Sequence, residues 1–149
     1  MYRRVASAPE SFTLLVFHCD FTRGTKYPIT RDKLERDLGR YFPGTRFIVR
    51  LAEPEDYEEK TRLLSEPHDL VLMANFTAVI TTHTRCHRPI DSDKVMVLLQ
   101  PRELARRQRK FSRRELVTAT DIALALRDWF GWPSAHLDNE TLRIWPKRY

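Results

Sequence analysis

The chain has 149 residues, 42% apolar and 31% charged, which is a globular rather than a disordered composition and enough for one hydrophobic core. Two cysteines are too few for a disulfide framework. The four glycines are isolated and form no GxGxxG, GxxxxGK[ST] or GxSxG pattern, so dinucleotide, P-loop and serine-hydrolase readings lose their entry motif.

The expected organisation is a single domain, 1–149, with 1–10 a loose N-terminal arm. Arg3 and Arg4 are followed by Ser7, Pro9 and Glu10 rather than by the apolar run of a leader. No stretch of eighteen apolar residues offers a membrane span. The expectation is an intracellular protein, cytoplasmic or nuclear, with both cysteines as thiols and no membrane partner.

Residues 12–21 (FTLLVFHCDF) are apolar on both alternating faces, which predicts a buried central strand. Thr30 reads as a helix N-cap with Asp32 in the first turn, and Ile29 and Leu34 stand at staple spacing. Leu34, Leu38 and Tyr41 continue the apolar face until Pro43-Gly44 ends it. Arg46–Leu51 predicts a strand. The spacing from Pro54 to Leu64 predicts a helix, with acids first and Lys60 and Arg62 later. Asp69–Ala74 and Thr77–Thr84 predict two strands, a hairpin around Asn75, and Lys94–Leu99 another buried strand. Gln100-Pro101 opens a helix that the capping box Ser112–Glu115 restarts, with Phe111 and Leu116 at staple spacing. Leu116, Ala119, Ala123, Leu126 and Phe130 form an apolar stripe that stops at Gly131 and Pro133. Leu142–Trp145 predicts a last short strand. The fold class expected is α+β: a mixed sheet of about five to six strands with three to four helices packed on it, for which a ferredoxin-like βαββαβ path is one wiring.

The strongest functional signal is charge. The net charge is +6, from 26 basic and 20 acidic residues. Residues 102–114 (RELARRQRKFSRR) hold seven bases, Arg102, Arg106, Arg107, Arg109, Lys110, Arg113 and Arg114, and one acid, Glu103. The rest of the chain has 19 bases and 19 acids, so the whole excess sits in this segment. Wound as a helix at about 100° per residue, it sets Arg102, Arg106, Arg109 and Lys110 on one face, with Leu104 and Phe111 roughly opposite. Arginine binds phosphate bidentately and stacks on bases, so the row suits a nucleic-acid backbone. A solvated helix face and an import signal are the other readings of the same residues. An opposing acidic run, Glu53–Glu59, holds five acids and no base.

Four weaker constellations compete. His18, Cys19, His83, Cys86 and His87 are zinc-ligand types, but no CxxC is present. On an extended strand His83 and His87 would stand about 13 Å apart. Glu58-Glu59-Lys60, with Asp56 or Asp20 as partner acid, matches the ExK end of a metal-dependent nuclease site, yet helical spacing points Glu58 and Lys60 apart. Tyr57-x-x-Lys60 would need two histidines two residues apart, and those present are four apart. Trp129, Phe130, Trp132 and Trp145 could stack unpaired bases, although such a cluster more often closes a core. The function expected is therefore a non-catalytic nucleic-acid-binding protein, for DNA or RNA, with no cofactor and no metal site. The alternative is a regulatory module that meets protein partners through its acidic and basic surfaces, and the third reading is the nuclease.

Overall fold

The computed structural model describes residues 7–17, 30–53, 55–73, 76–86, 90–99, 118–140 and 145–148. The elements are β1 (Ser11–Val16), α1 (Arg31–Tyr41), β2 (Arg46–Leu51), α2 (Tyr57–Ser65), β3 (Leu70–Met73), α3 (Phe76–Arg85), β4 (Val95–Leu99), α4 (Ala119–Phe130) and β5 (Trp145–Arg148). The sheet order is β2-β1-β3-β4-β5, in which the first four strands are parallel and β5 runs antiparallel on β4.

Apolar side chains on both faces of the strands make this arrangement. Phe12, Leu14 and Val16 of β1 join Phe47 and Val49 of β2, Leu70 and Leu72 of β3 and Met96 of β4 on one face. Leu34 and Leu38 of α1 and Ile122 to Leu126 of α4 cover them. On the other face Leu15, Phe17, Val71, Met73, Val95 and Val97 pack beneath Leu63 of α2 and Val79 of α3. Two helices per face on a central sheet are three layers, and both faces must be covered because parallel strands carry apolar residues on each. Each fully buried leucine contributes about 1.5–3 kcal/mol relative to exposure.

The order β2-β1-β3 reverses the direction of winding between β1 and β3. The expected sheet with helices packed on it stands, but the α+β ferredoxin-like wiring gives way to a mainly parallel α/β sheet. The ferredoxin-like path requires antiparallel neighbours, and here β1, β2, β3 and β4 are parallel.

The main cause of the error is α3. The expected strand Thr77–Thr84 and its hairpin around Asn75 are replaced by this helix, which carries the chain back so that β4 joins β3 in parallel. Its β-branched residues mimic a strand in composition. Their burial has helical spacing: Val79, Thr82 and Cys86 are buried, while Ile80, His83 and Thr84 are exposed. The Thr84 hydroxyl donates to the Ile80 carbonyl, 2.8 Å away, one turn back along the helix.

Local signals fix the other elements. Thr30 caps α1, its Oγ1 accepting from the Lys33 N–H at 3.2 Å. Gly44 takes φ 95°, as the turn into β2 requires. Asp56 caps α2, so that helix starts at Tyr57 rather than Pro54. Thr118 and Asp121 form the capping box of α4, and Gly131 closes it in the left-handed region. The Ser112–Glu115 box and the helix from Gln100 lie outside the described residues. The last strand, Trp145–Arg148, starts where the Leu142–Trp145 reading ended. Among the described residues no helix is long and apolar enough to cross a membrane.

The amino-terminal edge of the sheet is closed by aromatic rings. Trp132 stacks on Phe130 at 4.5 Å and meets Phe12 and Phe42 edge-on at 5.1 and 5.6 Å. Trp132 is buried, and Trp129 and Phe130 are partly buried against the same cluster. These three aromatics belong to the core rather than to a stacking platform.

Candidate nucleic-acid interface

In a doubly wound sheet, ligands meet the edge formed by the carboxyl ends of the parallel strands, because helix N-termini gather there. In this chain β1, β2, β3 and β4 all end on that edge. The basic residues Arg102, Arg106, Arg107, Arg109, Lys110, Arg113 and Arg114 lie outside the described residues. The segment begins three residues after Leu99, the last residue of β4.

An open cleft of about 480 Å³ lies on the same edge beside β2. It is lined by Thr30, Arg31 and Asp32 at the start of α1, by Val49, Arg50 and Leu51 at the end of β2, and by Glu59, Arg62 and Leu63 of α2. The N–H groups of Arg31 and Asp32 have no acceptor within the helix, as at any helix start. Three arginines and two carboxylates, Asp32 and Glu59, thus line one cleft at the positive end of a helix dipole.

The arginines differ in how they are held. Arg62 is clamped by Glu59, with Nε 2.9 Å from Oε2 and Nη2 on Oε1, and by Glu66 at 2.6 Å. The hydrogen bond from Arg62 holds the Glu59 carboxyl below the usual glutamate range, and the same bond pushes the Arg62 guanidinium further up. The charge of Arg50 also favours ionised Glu59. Arg31 lies 3.2 Å from its neighbour Asp32. Arg50 makes no ion pair among the described residues and is exposed.

The acidic run has an architectural role. Asp56 accepts from the Glu59 N–H at 3.0 Å as the cap of α2, and acids in the first turn suit the helix dipole. Glu53, Glu55, Asp56 and Glu58 remain exposed.

The ExK triplet does not assemble. Glu58 is exposed, whereas Lys60 is buried, its Nζ lying 4.8 Å from the centre of the Tyr57 ring and 5.8 Å from that of Phe17. Tyr57 and Lys60 do meet, but as a cation packed between aromatic faces. The strand premise behind the 13 Å histidine separation is also corrected, since His83 sits on α3. His83 is exposed, and Cys86 is buried with its thiol directed at the Tyr57 carbonyl, 3.7 Å away. Among the described residues no three His, Cys, Asp or Glu side chains are grouped to hold a metal. His18, Cys19, Asp20 and His87 lie outside the described residues.

One group of cations escaped the charge arithmetic. Residues 31–50 carry six bases and three acids. Lys33, Arg36 and Arg40 are exposed on α1, and Arg46 and Arg50 on the edge strand β2. The spacing of 33, 36 and 40 was a helical signal available in the sequence, hidden because the chain outside 102–114 sums to zero. Comparison of the chain with protein-family models, curated proteins and solved structures found no match.

Proposed function

We propose that the chain is a small non-catalytic nucleic-acid-binding domain, intracellular, that grips phosphates with Arg102, Arg106, Arg107, Arg109, Lys110, Arg113 and Arg114. One observation carries the reading. The entire +6 excess is held in thirteen residues, 102–114, that begin three residues after Leu99, the last residue of β4. A localised patch of that kind attracts a polyanion, whereas scattered charge only solubilises. A cleft at the carboxyl ends of the strands, lined in part by Arg31, Arg50 and Arg62, supports it with further cations. No base-reading motif accompanies these residues, so binding is expected to depend on backbone contacts in DNA and RNA alike.

The exposed acids Glu53, Glu55, Asp56 and Glu58 favour a second reading, a module that meets basic protein partners. The two readings separate in one experiment. An R106Q/R109Q/K110Q variant is assayed for binding to labelled single-stranded and duplex DNA and to RNA. The proposal expects weaker binding to every sequence with the fold intact, because surface substitutions cost little stability. Equal binding by variant and parent at low salt would overturn it.

A further inference from the structure

We propose that the outer face of α1 is a second phosphate-contact surface, which rests on the nucleic-acid reading above and extends it to residues far from 102–114 in sequence. Leu34 and Leu38 turn one side of α1 into the core. Lys33, Arg36 and Arg40 stand on the opposite side, within about 60° of arc at 100° per residue. They span roughly 10 Å of helix axis, at 1.5 Å per residue. A nucleic-acid strand offers a phosphate about every 3.4 Å of rise, so one strand can meet all three cations along that length.

Two of the three carboxylates of this region are engaged elsewhere. Glu35 accepts the N–H of Val49 on the edge strand at 2.9 Å. Asp32 pairs with Arg31. Asp37 is half-buried and lies 3.8 Å from Arg36, rather than bridging to Lys33 one turn earlier. Lys33 and Arg40 make no ion pair among the described residues. Arg62 on α2 is the contrast, a cation clamped between two glutamates. A helix face that served only solubility would gain from such i,i+4 pairing. On α1 only Arg36 has a carboxylate beside it, at 3.8 Å with the guanidinium largely exposed, and Arg40 lies over the Tyr41 ring, so all three cations stay within reach of an external anion.

The test compares the full chain with two variants, K33Q/R36Q/R40Q and R106Q/R109Q/K110Q. Each binds a fluorescein-labelled 20-nucleotide DNA, single-stranded and duplex, and anisotropy is read over a range of salt. Circular dichroism melts verify that both variants fold. The α1 variant is expected to lower the slope of log K against log salt by about 2 on single strands and about 2.7 on duplex. At 0.1 M salt the loss in affinity is on the order of a hundredfold. Should the α1 variant bind like the parent while the 102–114 variant is impaired, this inference fails and the broader reading stands. Absence of binding by the parent would sink both. If the α1 variant instead abolishes a salt-sensitive self-association and leaves DNA binding intact, the surface meets the acidic start of α2 in a second copy, and the proposal is overturned.

Discussion

Replacing Trp132 by alanine decides whether the C-terminal aromatics hold the fold or read bases. Trp132 is only 6% exposed and touches three other rings, Phe12, Phe42 and Phe130. Truncating a buried large aromatic costs about 3–5 kcal/mol, through lost transfer energy and the cavity left behind. That is a large share of the roughly 5–15 kcal/mol that holds a domain together. At about 2.1 cal/mol/K of unfolding entropy per residue, each kcal/mol lowers the melting temperature of a chain this long by about 3 °C. Trp132→Ala should therefore melt about 10–15 °C below the parent. Urea and thermal denaturation followed by far-UV circular dichroism measure this without relying on the tryptophan removed. The reasoning is refuted if the variant loses less than about 1 kcal/mol and instead loses affinity for single-stranded DNA. That outcome would make Trp132 a stacking residue rather than a core residue.

Thr118→Ala removes the two hydrogen bonds of the Thr118 hydroxyl with Asp121, leaving the backbone N–H bond to the Asp121 carboxylate, and should lower stability by about 1 kcal/mol, read from the urea midpoint. Gly131→Ala places a side chain at φ 73° and should cost about 1 kcal/mol, whereas a neutral result would show that the helix end relaxes. Glu59 has its pKa depressed by folding, so its contribution is complete above the ordinary glutamate range and is lost as pH falls through the lowered value. Arg62→Gln should raise the NMR titration midpoint of the Glu59 carboxyl, and an unmoved midpoint would contradict the clamp.

Local structure was legible wherever the determining contacts are close in sequence. Thr30 announced α1, and the bulky run Arg46–Leu51 announced β2 with the boundaries observed. The two-sided apolar pattern at Phe12–Phe17 already marked a central strand, since only a strand covered on both faces buries both alternations. Parallel pairing was not legible, because it depends on which strands meet after long crossovers. The error at α3 arose where propensity and periodicity disagreed. Thr81, Thr82 and Thr84 weigh toward a strand in composition, but Val79, Thr82 and Cys86 repeat at helical spacing, and tertiary packing followed the repeat. At α4 the attention given to Ser112–Glu115 hid the nearer Thr118–Asp121 box.

For the site, summation along the chain found the cluster at 102–114 but was blind to segregation in space. The acids that neutralise 31–50 on paper lie on α2 and in local contacts, while Lys33, Arg36 and Arg40 face solvent. That Arg31, Arg50 and Arg62 line one cleft required the fold, which sets the start of α1 beside the end of β2 and beside Glu59 to Leu63 of α2.

The most direct test of nucleic-acid binding is the salt dependence of the unmodified full chain on a random duplex, measured by anisotropy from dilute buffer upward. Three to five phosphate contacts by 102–114 alone predict a log–log slope of roughly −3 to −4.5, and the α1 surface steepens it further. Binding that is absent in dilute buffer, where screening is weakest, or a slope near zero, would contradict the account.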